Sequence, residues 1–458
     1  MKNKRNSIIF FLASFTILTS CKKYLDAKSD QSLVVISTVQ DLQSLLDNDL
    51  TVNGMNPNAD AASSDDYYVS YASFQSFSYE QFRNLYTWQP TNVFNPYTNV
   101  TNDWTQLYNT VYIANVVLDN LDKIVKTESN ASAWDNVKGQ AQFLRAYAFL
   151  KAASIWSLAY DDRTSESDLG IPLRLTSDFN IPSVRSTVAE TYNQIVTDAN
   201  AAVRLLPNTS VHSQRSCKPA AYALMAKAYL AMRQYNKAGL YADSCLKIYN
   251  TLVDFNTFNT ASAYPITQFN KEVIYNTYNG GAGGQLTNIT NAKIDTVLYR
   301  LYASNDLRKT LYFKVNADGS MAFRGSYYGT AQLFSGIATD EVYLIRAECH
   351  ARATNISAAM GDLNTILIKR YKTGAFIPLT ASDPSDALSK ILLERQKELV
   401  MRGTRWMDIK RLNKEGYGIS LKRILNGQTY ILPANDLRFA LALPDDIITL
   451  SGMQQNPR

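Results

Sequence analysis

Two stretches of the chain carry small and apolar residues at one shared, irregular spacing. In "AAYALMAKAYLAMRQYNKAGLYADSCLKI" the series is Ala226, Tyr229, Tyr235, Ala238, Ala242 and Cys245. In "EVYLIRAECHARATNISAAMGDLNTILIKR" it is Ala347, His350, Ile356, Ala359, Leu363 and Ile366. Both run at offsets of 3, 6, 3, 4 and 3. Steps of three and four keep side chains on one helix face. Small residues at a crossing let two antiparallel helices approach closely. The offsets are those of a tetratricopeptide-like helix pair, and two copies predict a helical-repeat scaffold. His350 falls at a packing position, which makes it a core residue rather than a ligand.

Further helices follow from the same logic. Residues 104–126 carry Leu107, Val111, Ala114, Leu118, Leu121 and Ile124 on one stripe. Residues 136–156 repeat the pattern with Ala141, Leu144, Ala148 and Ala152, and residues 188–206 follow a loop containing Pro172 and Pro182. The predicted fold class is therefore mostly α, a tetratricopeptide-like repeat scaffold with long irregular insertions.

Two stretches read as non-helical insertions. Residues 51–103 are rich in Asn, Asp, Ser and Tyr; residues 250–335 mix Asn, Thr, Gly and Tyr, including "NTYNGGAGGQLTN". Loops this long inside a domain are functional or disordered, and their aromatic content argues against disorder. Thirteen of the 43 residues from Asp66 to Tyr108 are Phe, Tyr or Trp, against 11% of the whole chain. Flat rings with a polar handle stack on the C–H faces of sugars, and neighbouring Asp, Asn and Gln bond hydroxyls. These loops predict a ligand pocket with apolar walls and few polar groups. Its candidate residues are Asp66, Tyr68, Trp88, Tyr97, Tyr278 and Tyr327.

Catalytic patterns are missing. Glu394 and Glu398 lie one helical turn apart, but glycoside hydrolysis needs two carboxyls roughly 5–9.5 Å apart across a sugar. Arg395, Arg402, Arg405 and Arg411 surround them, a composition suited to a structural salt-bridge network. Asp65 and Asp66 are adjacent, so on an extended segment they point to opposite faces. No nucleophile elbow, phosphate-binding loop or His-rich metal pattern occurs; "GGAGG" lacks the lysine of a phosphate cradle. Only His212 and His350 supply imidazoles, which excludes a conventional zinc centre. The expectation is a protein without catalytic residues, cofactor or metal.

The N-terminus constrains location. Lys2, Lys4 and Arg5 precede an apolar run from Ile8 to Leu18. That run is short of the roughly 20 residues that span a bilayer and reads as a secretion signal. Leu18-Thr19-Ser20-Cys21 resembles a bacterial lipobox, so residues 1–20 are expected to be a signal peptide and Cys21 the acylated N-terminus of a single domain, 21–458. Several acyl chains on one cysteine anchor stably where one is marginal. The remaining cysteines, Cys217, Cys245 and Cys349, are odd in number, which precludes a complete disulfide framework; they read as small buried apolar side chains. The formal charge of +6 includes the three basic residues of the signal and leaves no footprint for nucleic acid.

"CKKYLD" after the lipobox, "WTQLYNTVYIANVVLDNL" (Trp104, Tyr108, Ile113, Asn115), "AQFLRAYAFLKAASIW" (Arg145, Ala146, Tyr147), "ERQKELVMRGTRWMDIKR" and the terminal "ALPDDIITLSGMQQNPR" occur in that order. Together they resemble the SusD/RagB family of Bacteroidetes outer-membrane nutrient-binding lipoproteins over nearly the whole chain. The resemblance implies a tetratricopeptide-like scaffold, a surface-facing lipid anchor, a glycan or peptide ligand bound without cleavage, and a SusC-like TonB-dependent transporter as partner. It carries over no ligand residue, because the family's signatures lie in the scaffold. One departure is that Lys22 and Lys23 follow Cys21, where surface-exported members tend to carry acids; the first acid here is Asp26. A membrane-anchored repeat scaffold holding protein or peptide cargo is the alternative.

Overall fold

In the computed structural model, which describes residues 36–54, 56–94, 102–280 and 284–458, the apolar stripes become the main helices. They are α1 Val39–Leu46, α2 Asp103–Leu121, α3 Ala131–Trp156, α4 Val188–Leu205, α5 Lys218–Ala231, α6 Tyr235–Ile248, α7 Thr339–Arg352, α8 Ile356–Leu367, α9 Pro384–Glu398 and α10 Arg405–Asn413. Their starts are written in side chains. Asn102 accepts from the Thr105 amide at the head of α2. Thr187 and Glu190 form a reciprocal capping box on α4, and Asp383 followed by Pro384 opens α9. Each satisfies amides that have no partner within the first helical turn. From α2 to α7 each helix packs on the next, and α7 also packs on α8 and α9. Residues 39–458 form one unit.

The two copies of the repeat superimpose at the level of single hydrogen bonds. Arg233 and Thr354 occupy equivalent turn positions, and both adopt φ 61°. In the first copy the Arg233 amide donates to the Leu230 carbonyl and the Gln234 amide to Tyr229. In the second, Thr354 donates to Ala351 and Asn355 to His350. Ala226, Ala238, Ala242, Ala347 and Ala359 are fully buried. The reason for small residues is visible at Gly239, where an added Cβ would lie 3.0 Å from Cys349 Cβ. His350 departs from the expectation. Its side chain remains 35% exposed, with Nε2 4.0 Å from Asp362 Oδ2. It sits at the outer edge of the crossing, not in the core.

Other boundaries move. Ile124 lies in the turn beyond α2, and α3 starts at Ala131, five residues earlier than its stripe suggests. Residues 51–103 are not devoid of helix: Ala59–Ser63, Tyr71–Ser76 and Glu80–Tyr86 are short helices, too short to show a periodic stripe. The second insertion is not devoid of helix either: Gly284–Thr287, Thr296–Arg300 and Arg308–Leu311 are short helices among loops and strands of two or three residues. Cys217, Cys245 and Cys349 are free and buried, and burial pushes the Cys217 thiol up to about 11. The C-terminus of α3 is closed by a buried cation. Lys410 Nζ donates to the Ser154 and Ser157 carbonyls at 2.7 and 2.6 Å, and burial lowers its pKa to about 7. Among the described residues no helix is long and apolar enough to cross a membrane. Cys21 and the signal segment lie outside the described residues.

Candidate functional site

The two insertions are stitched together by asparagine and backbone amides. The Tyr278 amide donates to the Asn53 carbonyl and the Asn56 amide to the Tyr278 carbonyl, each at 3.0 Å. Asn279 Nδ2 donates to Asn58 Oδ1 at 3.1 Å, and Asn58 Nδ2 to Thr287 Oγ1 at 2.6 Å. Farther along, Tyr67–Val69 pairs antiparallel with Ala292–Ile294, setting Tyr68 opposite Lys293. The asparagine-rich composition of both segments is what allows two irregular chains to satisfy each other's backbone groups.

This junction presents two tyrosine rings. Tyr278 and Tyr328 lie 4.4 Å apart between centroids at 39°, both half-buried. Gly54 backs Tyr278 so closely that a Cβ there would meet the phenol oxygen at 2.6 Å. Burial, the neighbouring Tyr328 and the Asp49 carboxylate raise the Tyr278 phenol. Burial and Asp49 raise Tyr328, against a hydrogen bond with Gln268. Asp49 in turn accepts from Gln214 Nε2 at 3.3 Å. The Asn276 and Asn279 side-chain oxygens beneath the junction are buried without a protein partner. The arrangement offers ring faces to an apolar surface and a carboxylate with several amides to hydroxyls. Tyr328 was missed from the sequence; its signal was a second tyrosine beside Tyr327 in an irregular, glycine-flanked loop.

The other candidates go elsewhere. Tyr68 is 37% exposed, and burial plus the charges of Asp318 and Asp295 raise its phenol. Trp88 is 1% exposed. Its Nε1–H donates to the Ser63 carbonyl at 3.0 Å, and the Arg423 guanidinium lies 4.6 Å from its ring and 3.6 Å from that of Tyr86. Arg423 also donates to the Ala62 and Ser64 carbonyls at 3.0 and 2.8 Å. Trp88 is thus one wall of a buried cation box. Asp66 is buried too. Oδ2 accepts from the Met401 amide at 2.9 Å, Oδ1 has no partner, and burial followed by Asp65 raises its pKa to about 7. Tyr327 is buried, donates to Glu272 at 2.9 Å and carries Arg402 over its ring at 3.9 Å. Tyr97 lies outside the described residues.

Glu394 and Glu398 belong to an ion-pair network, as their composition suggests; Lys397 on the same helix reaches Glu394 at 2.6 Å, and the arginine partners are distant in sequence. Arg308 Nη2 reaches Glu394 at 2.7 Å and its Nη1 reaches Glu398 at 2.9 Å. Arg370 bridges Glu398 at 2.7 Å and Glu272 at 2.9 Å. Of the arginines nearest in sequence, Arg395 pairs with Asp408, Arg402 with Asp340, Arg405 with Asp65 and Arg411 with Glu348. Glu272, Asp340 and Glu398 approach one another closely enough to hold a cation, yet the Arg370 and Arg402 guanidiniums already occupy that role. Burial raises Glu272, while Arg402 keeps Asp340 low. Sealed from solvent, Glu394 and Glu398 cannot flank a sugar.

A separate cleft of about 570 Å³ runs along α2, lined by Trp104, Tyr108, Tyr112, Arg174, Phe179 and Leu450 among others. Most of its polar groups, the Tyr112 hydroxyl excepted, are spent on holding its own wall. Asn115 Nδ2 donates to the Arg174 and Thr176 carbonyls, Asp119 caps Ser177 at 2.7 Å, and Arg174 bonds the Ile181 and Asp178 carbonyls. The spacing of three rings at every fourth residue of one helix was its legible sign.

A family model described as starch-binding, associating with the outer membrane, matches residues 23–230, and the SusD family model matches residues 328–438. No curated protein matches. Among solved structures, a candidate sugar binding protein from Bacteroides vulgatus aligns with TM-score 0.72 at 21% identity, covering 93% of this chain and 99% of its own. A SusD superfamily protein from Bacteroides thetaiotaomicron aligns with TM-score 0.70 at 22% identity, covering 92% and 100%. A SusD-like carbohydrate binding protein from Bacteroides vulgatus gives 0.66 at 21%, covering 91% and 97%.

Proposed function

The chain belongs to the SusD/RagB family, and on that premise we propose that it captures an oligosaccharide at the cell surface and hands it to a SusC-like TonB-dependent transporter. In this reading residues 1–20 are removed, Cys21 carries the lipid, and residues 21–458 form the binding body. The ligand is held and released without cleavage. The supporting observation is the Tyr278–Tyr328 pair at the junction of the two insertions, with Asp49, Gln214 and Gln268 beside it. Two rings provide a stacking face, and the amides and carboxylate provide the few polar groups that orient a ligand. The cleft along α2 is the weaker choice, because most of its polar side chains are engaged in its own wall.

A shallow stacking site gives affinity near the micromolar range, about −8 kcal/mol, which allows release to the transporter. The test is a glycan array on the lipid-free body, calorimetry on each hit, and a product assay. Tyr278→Ala and Tyr328→Ala should each weaken binding at least about tenfold, roughly 1.4 kcal/mol, while Tyr112→Ala in the α2 cleft leaves it unchanged. Turnover of a hit would refute pure capture; loss only with Tyr112→Ala would move the site.

A further inference from the structure

At the turn between α5 and α6 a cleft of about 420 Å³ is lined by Arg233, Gln234, Tyr235, Asn236, Lys237 and Arg352. Its charges are unevenly balanced. Arg352 is neutralised, donating to Glu348 at 3.0 Å and Glu415 at 2.7 Å while lying 3.9 Å over the Tyr235 ring. Arg233 donates only to the Tyr160 carbonyl, at 2.6 Å, and the Lys237 ammonium sits 5.1 Å from the Tyr229 ring centre. Among the described residues neither has a carboxylate within ion-pair distance.

The second copy of the repeat shows that the turn does not need these charges. There Thr354 and Ala358 stand in place of Arg233 and Lys237, with the same backbone geometry at the turn. The second copy also caps its helix, Asn355 accepting from the Ala358 amide at 3.2 Å. Gln234, at the equivalent place, makes no such cap on α6. The first copy therefore carries two cations without a carboxylate partner and an uncapped, partially positive helix end around one cleft, none of it required by the geometry of the turn.

We propose that this cleft binds an acidic peptide segment of a partner protein. The guanidinium and ammonium match carboxylates, and the Gln234 and Asn236 side chains match the alternating donors and acceptors of a peptide backbone. A pyranose finds no platform, since the Arg352 guanidinium covers the Tyr235 ring and the Tyr235 phenol is engaged with Glu415. The site is distinct from the tyrosine junction and independent of the sugar reading.

The test is fluorescence anisotropy of dye-labelled hexaglutamate titrated with the lipid-free protein. Saturable binding is expected, weakening as salt rises. Lys237→Glu, at an exposed position, should weaken it at least about tenfold. Lys247→Glu, exposed on the same helix and paired with Asp243, should leave it unchanged. Absence of binding, insensitivity to Lys237→Glu, or equal loss with Lys247→Glu would overturn the proposal. So would tighter binding of an oligogalacturonate, which would mark an anionic sugar site.

Discussion

The aromatic residues of the first insertion and those of the Tyr278–Tyr328 junction are drawn from the same side-chain types and meet opposite fates. Tyr67, Tyr86 and Trp88 close around Arg423 and are buried; Tyr278 and Tyr328 pack at a tilt against each other and keep access to solvent. The difference lies in the partner. A guanidinium that also satisfies three backbone carbonyls draws rings inward, because the cation, the ring faces and the carbonyls are all desolvated together. Where the neighbours are a second tyrosine and amides, the rings remain at the surface. Ring density alone does not mark a ligand site.

The largest test of this contrast removes the cation. Arg423→Ala leaves the Ser64 and Tyr86 carbonyls without this donor and the Ala62 carbonyl with the Tyr67 hydroxyl, and should cost about 3–5 kcal/mol in chemical denaturation. Tyr328→Ala, at a half-buried surface position, should cost under about 1 kcal/mol while abolishing most binding. Equal losses of stability would erase the distinction.

A second, smaller effect is in pH. Asp66, raised from 3.8 to about 7 by burial, holds a proton in the folded state that it has lost in the unfolded chain. Its stabilising contribution is complete below about pH 4 and is lost as pH rises through about 7. Buried Glu272, also raised, acts in the same direction. The denaturation midpoint should decrease as pH rises from about 4 to about 7, and Asp66→Asn should flatten that slope. The phenols of Tyr278 and Tyr328 are raised from 10, so ring ionisation gives binding no pH dependence in this window. The smallest effect is at Tyr68, whose exposed ring on the separate Tyr67–Val69 strand should change affinity by less than about threefold on replacement with Ala.

The scaffold was legible because its determinants are local. Offsets from Ala226 to Cys245 and from Ala347 to Ile366 specify both helices and the turn between them. The fate of Trp88 was not legible, because Arg423 lies on a hairpin more than 300 residues away and no spacing links the two. The network around Glu394 and Glu398 was legible in kind, since carboxylates among arginines form ion pairs, but Arg308 and Arg370 come from beyond the helix that carries the acids. Short helices such as Tyr71–Ser76 escaped because six residues hold too few apolar positions to reveal a period.

Arg370 joins pieces that sequence keeps apart. It bonds Glu272 and the Val253 carbonyl of the second insertion and Glu398 at the end of α9. Tyr327, from the same insertion, closes on Glu272. Opening the insertion alone would strand buried charges on both sides, so loop and scaffold share one unfolding event. Amides of Val273–Tyr275 should therefore exchange hydrogen as slowly as those of α7, and proteases should find this long segment uncleavable until the whole body melts. A long loop bolted to the last helices is also a loop that does not age faster than its frame.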